Sequence, residues 1–298
     1  MTLLDRTLVR VLPAVPKPVV QLFSSRYIAG PTLADAVTTV RALNDEGKCG
    51  TIDVLGEEIG REETASAIAQ EYCDVFAAIE EEQLDSNASV KPTALGLDLS
   101  YDLCRENVEL ILRAAHGNFV RIDMEDSSTT SETLQLYREL REDGFDNVGI
   151  VLQARLRRTL DDIRSLAELA PNVRICKGIY LEPASIAFTD YDAVRANFVC
   201  ALDALQKSAS YLAVATHDEW LIGQALQRVR GAEGYEFQML LGVREHRASE
   251  LVADGHPLRV YVPYGEQWYE YSLRRLQENP TMAGTIARST VARVFGRS

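Results

Sequence analysis

The sequence predicts an α/β fold in which eight parallel strands close into a (β/α)8 barrel. From Gly50 onward, a short β-branched or apolar run, a polar residue, a loop and an amphipathic helical segment recur eight times. No glycine-rich GxGxxG turn follows the first run, which argues against an open sheet that binds a dinucleotide. Eight β-α units in one chain therefore favour the closed barrel.

The predicted elements begin with a helical segment that precedes the barrel. Pro13, Pro16 and Pro18 interrupt the opening segment, and a helix is then expected to begin near Thr32 and to end by Gly47. The predicted strands are, in chain order, "TIDVL" (51–55), "SVKPT" (89–93), "NFVRID" (118–123), "NVGIVLQ" (147–153), "NVRICKG" (172–178), "YLAVATH" (211–217), "YEFQML" (235–240) and "LRVYVP" (258–263).

The segments between the strands carry helical periodicity. Two examples are "TSETLQLYRELREDG" (130–144) and "SIAFTDYDAVRANFVCALDALQKSA" (185–209). No linker interrupts the pattern, so we expect a single domain over residues 1–298. Its parts are a helical N-terminal segment (1–48), the barrel (49–280) and a C-terminal tail (281–298).

The composition bounds the class of protein. With 46% hydrophobic and 25% charged residues, the chain is a soluble globular one, and its net charge of -13 argues against a nucleic-acid surface. Its five widely spaced cysteines include no CxxC pair, which suggests neither a disulfide framework nor a zinc site and fits a reducing cytoplasm. Charges interrupt the apolar N-terminus, and no stretch approaches the length of a membrane span.

Polar residues lie where the predicted strands end, and a barrel of this type has its active site at that face. They are Lys91, Asp123, Gln153, the stretch from Arg174 to Lys177, Thr216, His217 and Tyr261. Taken singly, each has an ordinary alternative: Lys91 as a solvated rim residue, Asp123 as a helix cap, Gln153 as a loop hydrogen-bonder, and His217 as a core or capping histidine. Together they converge on one face, as expected of a site.

The residue types at this face disfavour two kinds of chemistry. The four histidines do not form metal-ligand spacings, and only His217 lies at a strand end. The chain has no GxSxG elbow, and Cys176 is expected to pack as a small apolar side chain. Several hydrogen-bond donors without an obvious nucleophile indicate that a cofactor carries the reaction.

The segment after the last strand carries four residues at helical spacing. Tyr271, Arg274, Arg275 and Glu278 fall at i, i+3, i+4 and i+7, which places them on one stripe of a helix. Taken alone, such a segment is usually a surface helix whose charges are solvated and paired. The two adjacent arginines are the feature that a functional assignment has to explain.

Several motifs resemble the proline dehydrogenase family. They are "DMED", "VRICKGIY", "ATHDEW", "YEFQML" and "YVPYGEQWYEYSLRRLQENP", in the family's order from about Thr51 to Pro280. The spacing from Tyr261 to Tyr271 resembles the short monofunctional bacterial form. The resemblance implies a distorted (β/α)8 flavoprotein with a C-terminal helix over the barrel mouth, which uses FAD to oxidise L-proline to 1-pyrroline-5-carboxylate and passes electrons to a quinone.

The resemblance also implies roles for individual residues. Arg174 matches the arginine beside the reactive nitrogen of the flavin, where a cation stabilises the anionic reduced ring. The other implied FAD contacts are Met124, Gln153, Lys177, Gly178, Ile179, Thr216, His217 and Gln238, with Thr216 and His217 near the ribityl and phosphate portion. Cys176 and Ile179 depart slightly from the family's strand-five motif, but the Arg-x-x-Lys-Gly frame is intact.

The implied substrate site uses the remaining polar residues. Tyr180, Tyr261 and Tyr271 would wall the proline ring, and Lys91 and Asp123 would flank the substrate. Asp123 is open to two roles, as a base or as an orienting residue. Arg274 and Arg275 would hold the carboxylate, with Glu278 orienting one of them.

Two other functions remain compatible with parts of this pattern. A different flavin-dependent barrel oxidoreductase, such as a folate reductase, would explain the cofactor motifs but not the paired arginines. A catalytically silent amino-acid-binding barrel could keep Lys91 and the arginine pair, but it would have little need of Arg174 or Lys177. A quinone acceptor would imply at least transient peripheral contact between this cytoplasmic protein and a membrane.

Overall fold

Eight parallel strands close into a barrel in chain order in the computed structural model, which describes residues 26–56 and 59–268. β1 pairs with both β2 and β8, so the sheet has no free edge. The strands are β1 (Cys49–Val54), β2 (Ser86–Val90), β3 (Val120–Ile122), β4 (Val148–Gln153), β5 (Asn172–Cys176), β6 (Tyr211–Ala215), β7 (Tyr235–Leu240) and β8 (Leu258–Tyr264). The predicted closed α/β barrel is confirmed.

Helices alternate with these strands. Within the described ranges they are α1 (Leu33–Asp45), α2 (Glu62–Glu81), α3 (Tyr101–Ala114), α4 (Thr130–Glu142), α5 (Thr159–Leu166), α6 (Tyr191–Ser208), α7 (Glu219–Arg228) and α8 (Glu245–Ala253). None of them is long and apolar enough to cross a membrane. The stripe predicted at Tyr271, Arg274, Arg275 and Glu278 lies outside the described residues.

The observed boundaries differ from the predicted runs by a few residues. β2 begins at Ser86, three residues before the run "SVKPT", and ends at Val90, beside the expected end at Lys91. The chain turns at Pro92, which cannot donate to the sheet, and the Leu95 amide bonds to the Lys91 carbonyl 3.1 Å away. Within the segment 185–209, which carries helical periodicity, α6 begins at Tyr191, because the Asp190 carboxylate caps it by accepting from the Ala193 amide at 2.9 Å.

Side chains alternate along the strands between an apolar outer face and a polar interior. Ile52, Ile122, Ile175 and Phe237 are fully buried in the main hydrophobic core. Polar residues on the opposite face of the strands meet inside the barrel, in a series of contacts formed by Ser89, Asp123, Arg174, Glu236, Gln238, Arg259 and Tyr261. Asp53 joins them through Lys91. Barrel interiors of this type are usually filled by branched apolar side chains. Here the interior is charged.

The N-terminus of α1 shows how the first helix is anchored before the barrel begins. The Asp35 amide donates to the Thr32 hydroxyl at 3.3 Å, and the Thr32 amide donates to the Asp35 carboxylate at 3.0 Å. These reciprocal bonds form a capping box, which satisfies amides that have no partner within the helix. The predicted start at Thr32 is thereby confirmed. At the other end, Gly47 follows the helix with φ of +74°, which glycine adopts without strain.

Replacing Thr32 with Ala should lower the free energy of unfolding by about 1 kcal/mol, because the cap of α1 is lost. Urea denaturation would measure the difference. Thr38→Ala is the matched control, since the Thr38 hydroxyl bonds only to the Ala34 carbonyl of its own helix in the contacts described. That variant should be neutral or slightly stabilising. Equal losses in both variants would contradict a capping role.

Candidate active site

The guanidinium of Arg174 lies at the centre of the polar interior. Its Nη1 donates to Asp123 Oδ1 at 2.6 Å and to the Ser89 hydroxyl at 3.2 Å, while its Nε donates to Gln238 Oε1 at 2.5 Å. Arg174 is only 6% exposed, and these partners come from β2, β7 and the end of β3. Contacts from three directions fix the plane of the guanidinium, so its orientation is set by the barrel rather than by solvent.

The carboxylate of Asp123 is bonded through both oxygens. Besides Arg174, its Oδ1 accepts from the Ser89 hydroxyl at 2.7 Å, and its Oδ2 accepts from the Tyr261 hydroxyl at 2.9 Å. The alternative that Asp123 merely caps the next helix does not match these contacts. The carboxylate instead joins β2, β5 and β8 at the mouth.

Lys91 extends this group toward β1. Its ammonium pairs with Asp53, whose side chain is fully buried, and donates to the Tyr261 hydroxyl at 3.3 Å. Burial alone would lower the pKa of Lys91, but the charges of Asp53 and Asp123 raise it above its usual value. The ammonium therefore stays charged at neutral pH. The Lys91 side chain is 13% exposed, so the structure does not show it as a solvated rim residue.

Gln153 ties together the loops that follow β3 and β5. Its amide nitrogen donates to the carbonyls of Met124 and Glu125, at 3.2 and 2.6 Å. Its amide oxygen lies so close to Gly178 that a Cβ built there would be 2.6 Å away, and Gly178 has φ of +90°. A side chain at position 178 would thus be strained for two reasons. These contacts match the loop-bonding alternative for Gln153, and its cofactor contact stays a prediction.

A second polar cluster forms where β5 and β6 end. Asp218 accepts from both Nε and Nη2 of Arg195, at 2.9 and 2.7 Å, from the Tyr191 hydroxyl at 2.6 Å, and from Lys177 at 3.3 Å. Burial alone would raise the pKa of the Asp218 carboxyl, but bonds from Arg195 and Tyr191 and the charge of Lys177 hold it well below its usual range. Lys177 therefore belongs to this cluster and not to the group around Arg174.

The remaining predicted side chains at this face have mostly structural partners. His217 Nε2 accepts from the Leu240 amide at 2.9 Å, and the Thr216 hydroxyl accepts from the Asp218 amide at 3.2 Å. Met124 is buried, Tyr180 is partly buried, and Ile179 is exposed. Burial raises the pKa of the Cys176 thiol to about 11, so it is protonated at neutral pH and packs as expected.

The structure thus brings together five of the predicted site residues: Lys91, Asp123, Arg174, Gln238 and Tyr261. Tyr271, Arg274, Arg275 and Glu278 belong to the part of the chain that the structure does not describe. Three interior partners of the five residues, Asp53, Ser89 and Glu236, were not predicted from the sequence, and neither was Asp218. A signal for the first three was present, since polar and apolar residues alternate strictly in "TIDV", "NASVK" and "EFQM".

Comparison with known proteins gives a consistent result. The family model described as Proline dehydrogenase matches residues 36–288. Proline dehydrogenase 1 of Bacillus subtilis is 41% identical over 274 residues, which are 90% of this chain and 90% of that protein. Proline dehydrogenase of Deinococcus radiodurans is 35% identical over 275 residues, which are 89% of each chain.

Solved structures support the fold. The crystal structure of proline utilization A (PutA) from Bdellovibrio bacteriovorus, inactivated by N-propargylglycine, matches with a TM-score of 0.81 at 24% identity. The match covers 91% of this chain and 36% of that one, so this chain spans about a third of the larger protein. At this identity the likeness concerns the barrel architecture alone.

Replacing Asp218 with Asn should destabilise the protein by ~2 kcal/mol at pH 6, because bonds to a charged acceptor are weakened. Asparagine is a good N-cap, so α7 should remain capped. The folded-state pKa is depressed, so this stability is present above the unfolded value and is lost as pH falls through the folded one. The difference from wild type should therefore shrink below about pH 4.

Urea titrations at a series of pH values would measure this difference. Asp161→Asn is the matched control, because Asp161 forms an exposed i,i+3 pair with Arg164 and should contribute little at any pH. A difference for Asp218→Asn that stayed constant down to pH 3 would contradict the proposed ion-pair origin.

Proposed function

The chain belongs to the proline dehydrogenase family, and on that premise we propose that it catalyses the FAD-dependent oxidation of L-proline to 1-pyrroline-5-carboxylate, with a quinone as electron acceptor. The observation that carries this proposal is the interior group of Arg174, Asp123, Tyr261 and Lys91. It combines a fixed cation, a carboxylate and a hydroxyl at the face where barrel enzymes have their active sites.

The residues near this face fit a flavin. Large apolar side chains are exposed at only seven positions among the described residues, and five of these follow β5 or β6: Ile179, Leu181, Ile186, Tyr191 and Trp220. Lys177 lies among them, and Arg174 lies on β5 itself. An apolar surface beside cations suits a planar ring system joined to a pyrophosphate. FAD bound there would supply the acceptor for the hydride that leaves proline.

Residues predicted to hold the cofactor fall into two groups. Met124, Gln153, Gly178, Ile179 and Gln238 would contact the ring system, while Lys177, Thr216 and His217 would contact the rest of the molecule. The positive φ of Gly178 and the bonds of Gln153 set the loop after β5 at the mouth. A loop fixed by its own contacts reduces the ordering cost of binding.

Arg174 would act through its permanent charge. A guanidinium held in a low-dielectric interior stabilises negative charge that develops beside it and needs no reorganisation at that moment. Three fixed partners keep the group in one orientation. We assign it the role of stabilising the negative charge that a bound flavin would gain when it accepts hydride from the substrate.

Asp123 would orient rather than accept a proton. Its two oxygens already accept from Ser89, Arg174 and Tyr261. These bonds hold the carboxylate in one position between three strands, which suits an orienting role. Proline must instead react with an uncharged amine, whose lone pair stabilises the positive charge that develops at the neighbouring ring carbon.

The substrate would lie against Lys91, Tyr180, Tyr261 and Tyr271, and Arg274 and Arg275 would bind its carboxylate. Glu278 would orient one of these arginines. We place the protein in the cytoplasm, with peripheral contact to the membrane when it passes electrons to the quinone. The adjacent arginines at positions 274 and 275 distinguish this proposal from other flavin-dependent barrels, since their proposed role requires a carboxylate on the substrate.

The absorption spectrum of the purified protein tests the proposal directly. We expect a yellow protein whose flavin band is bleached by L-proline under anaerobic conditions. Pyrrolidine, which keeps the ring and the amine but lacks the carboxylate, should bleach it very slowly. A colourless protein that takes up no added FAD would contradict the flavin assignment.

Arg274→Met or Arg275→Met should raise the proline concentration for half-maximal rate roughly ten- to a hundredfold, the loss expected for one charge-assisted contact. Flavin content should stay near normal. Steady-state kinetics with proline and pyrrolidine would measure the effect, and pyrrolidine should lose little further. Arg164→Met is the matched control, because its exposed pair with Asp161 lies on α5. Unchanged kinetics in both site variants would contradict the carboxylate contact and indicate that the two arginines are solvated surface residues.

A further inference from the structure

A chain of hydrogen bonds continues from Arg174 into the barrel interior. Gln238 accepts from Arg174 through Oε1 at 2.5 Å and donates through Nε2 to Glu236. Glu236 is in turn paired with Arg259, whose Nε lies 3.0 Å from both carboxylate oxygens, and it accepts from the Tyr211 hydroxyl at 3.2 Å. Arg174, Gln238 and Glu236 are all at most 6% exposed, so water does not compete for these bonds.

The two ends of this chain have opposite hydrogen-bonding capacity. A guanidinium can only donate, and an ionised carboxylate can only accept. The Gln238 amide between them therefore has one favourable orientation, with its oxygen toward Arg174 and its nitrogen toward Glu236. The opposite orientation would place two donors against each other and two acceptors against each other.

We propose that Glu236 is a positioning residue, which fixes the orientation of the Arg174 guanidinium by fixing the Gln238 amide. The inference rests on the function proposed above for Arg174. Among the described contacts, Glu236 reaches Arg174 only through Gln238, so it acts through another side chain and is not itself catalytic. Its pair with Arg259 holds the carboxylate in place from the opposite side.

The sign of the expected effect separates positioning from simple electrostatics. Removal of a negative charge near a flavin, with nothing else changed, makes the reduced anionic form easier to reach and raises the midpoint potential. Loss of Arg174 orientation withdraws a nearby positive charge and lowers that potential. A purely structural role for the Glu236–Arg259 pair changes stability and leaves the potential unaltered.

The experiment measures the two-electron midpoint potential of FAD bound to the full-length protein. In Glu236→Gln the position 236 side chain can donate or accept, so the Gln238 amide loses its single orientation. We expect the reduced flavin to be destabilised about tenfold, which lowers the potential by about 30 mV. The limiting rate of flavin reduction by proline should fall as well, with KM for proline changed less than twofold.

Two further variants serve as matched controls. Tyr211→Phe removes the hydrogen bond that a neutral hydroxyl donates to Glu236 but leaves the carboxylate facing Gln238, so the potential should not change. Gln238→Met breaks the hydrogen-bond chain between Arg174 and Glu236 without removing a charge, so it should also lower the potential. It leaves the Glu236–Arg259 pair intact, so this result would stand even if Glu236→Gln had a folding defect. The double variant Glu236→Gln/Gln238→Met should show no larger loss than Gln238→Met alone.

Arg174→Met supplies the reference that keeps the two proposals apart. If it does not lower the potential, the function assigned to Arg174 fails, whatever Glu236 does. If it lowers the potential but Glu236→Gln leaves it unchanged or raises it, the positioning role is overturned. Additive losses in the Glu236→Gln/Gln238→Met double variant would overturn it too, since they would show that the two residues act independently.

Discussion

The constraint on which the rest of this structure depends is the burial of a guanidinium inside the barrel. A charge taken out of water costs several kcal/mol unless an opposite charge and further hydrogen bonds replace its hydration. Asp123 supplies the negative charge opposite the Arg174 guanidinium, and Ser89 and Gln238 accept further hydrogen bonds from it. Each of these groups is then buried in its turn and needs partners of its own. The polar interior is the result of satisfying this requirement strand by strand.

The same strands must also hold the helices on the outside of the barrel. One strand can line the polar interior and also pack against the outer helices, because its successive side chains point to opposite faces. The pairing register adds room where the interior is most crowded. Ala213 lies opposite Arg174 on one side and Glu236 on the other, and its methyl group occupies little of the space between them. A larger residue on β6 would compete with the guanidinium for volume.

Much of the barrel could be predicted, because the strands are short, rich in apolar residues and separated by helical segments, and several of them end at or beside a polar residue. The mouth residues Asp123 and Arg174 were predictable for the same reason, since strand ends of a closed barrel converge. The pairing of Lys91 with Asp53 was not predictable, because a charge on one strand has several possible partners and only the register selects one of them. β2 ends at Val90, beside the predicted end at Lys91, because the chain turns at Pro92.

Inside the barrel, the partners of Arg174 and Asp123 are far apart along the chain. Arg174 is 51 residues from Asp123 and 64 from Gln238, and Asp123 is 138 residues from Tyr261. A half-barrel intermediate would enclose some of these charges without their counterparts, so the interior penalises partial assembly. We therefore expect the docking of β8 against β1 and the neutralisation of the interior to occur together. Isolated halves of this chain should gain little by folding alone, which makes its assembly more cooperative than that of a barrel with a purely apolar centre.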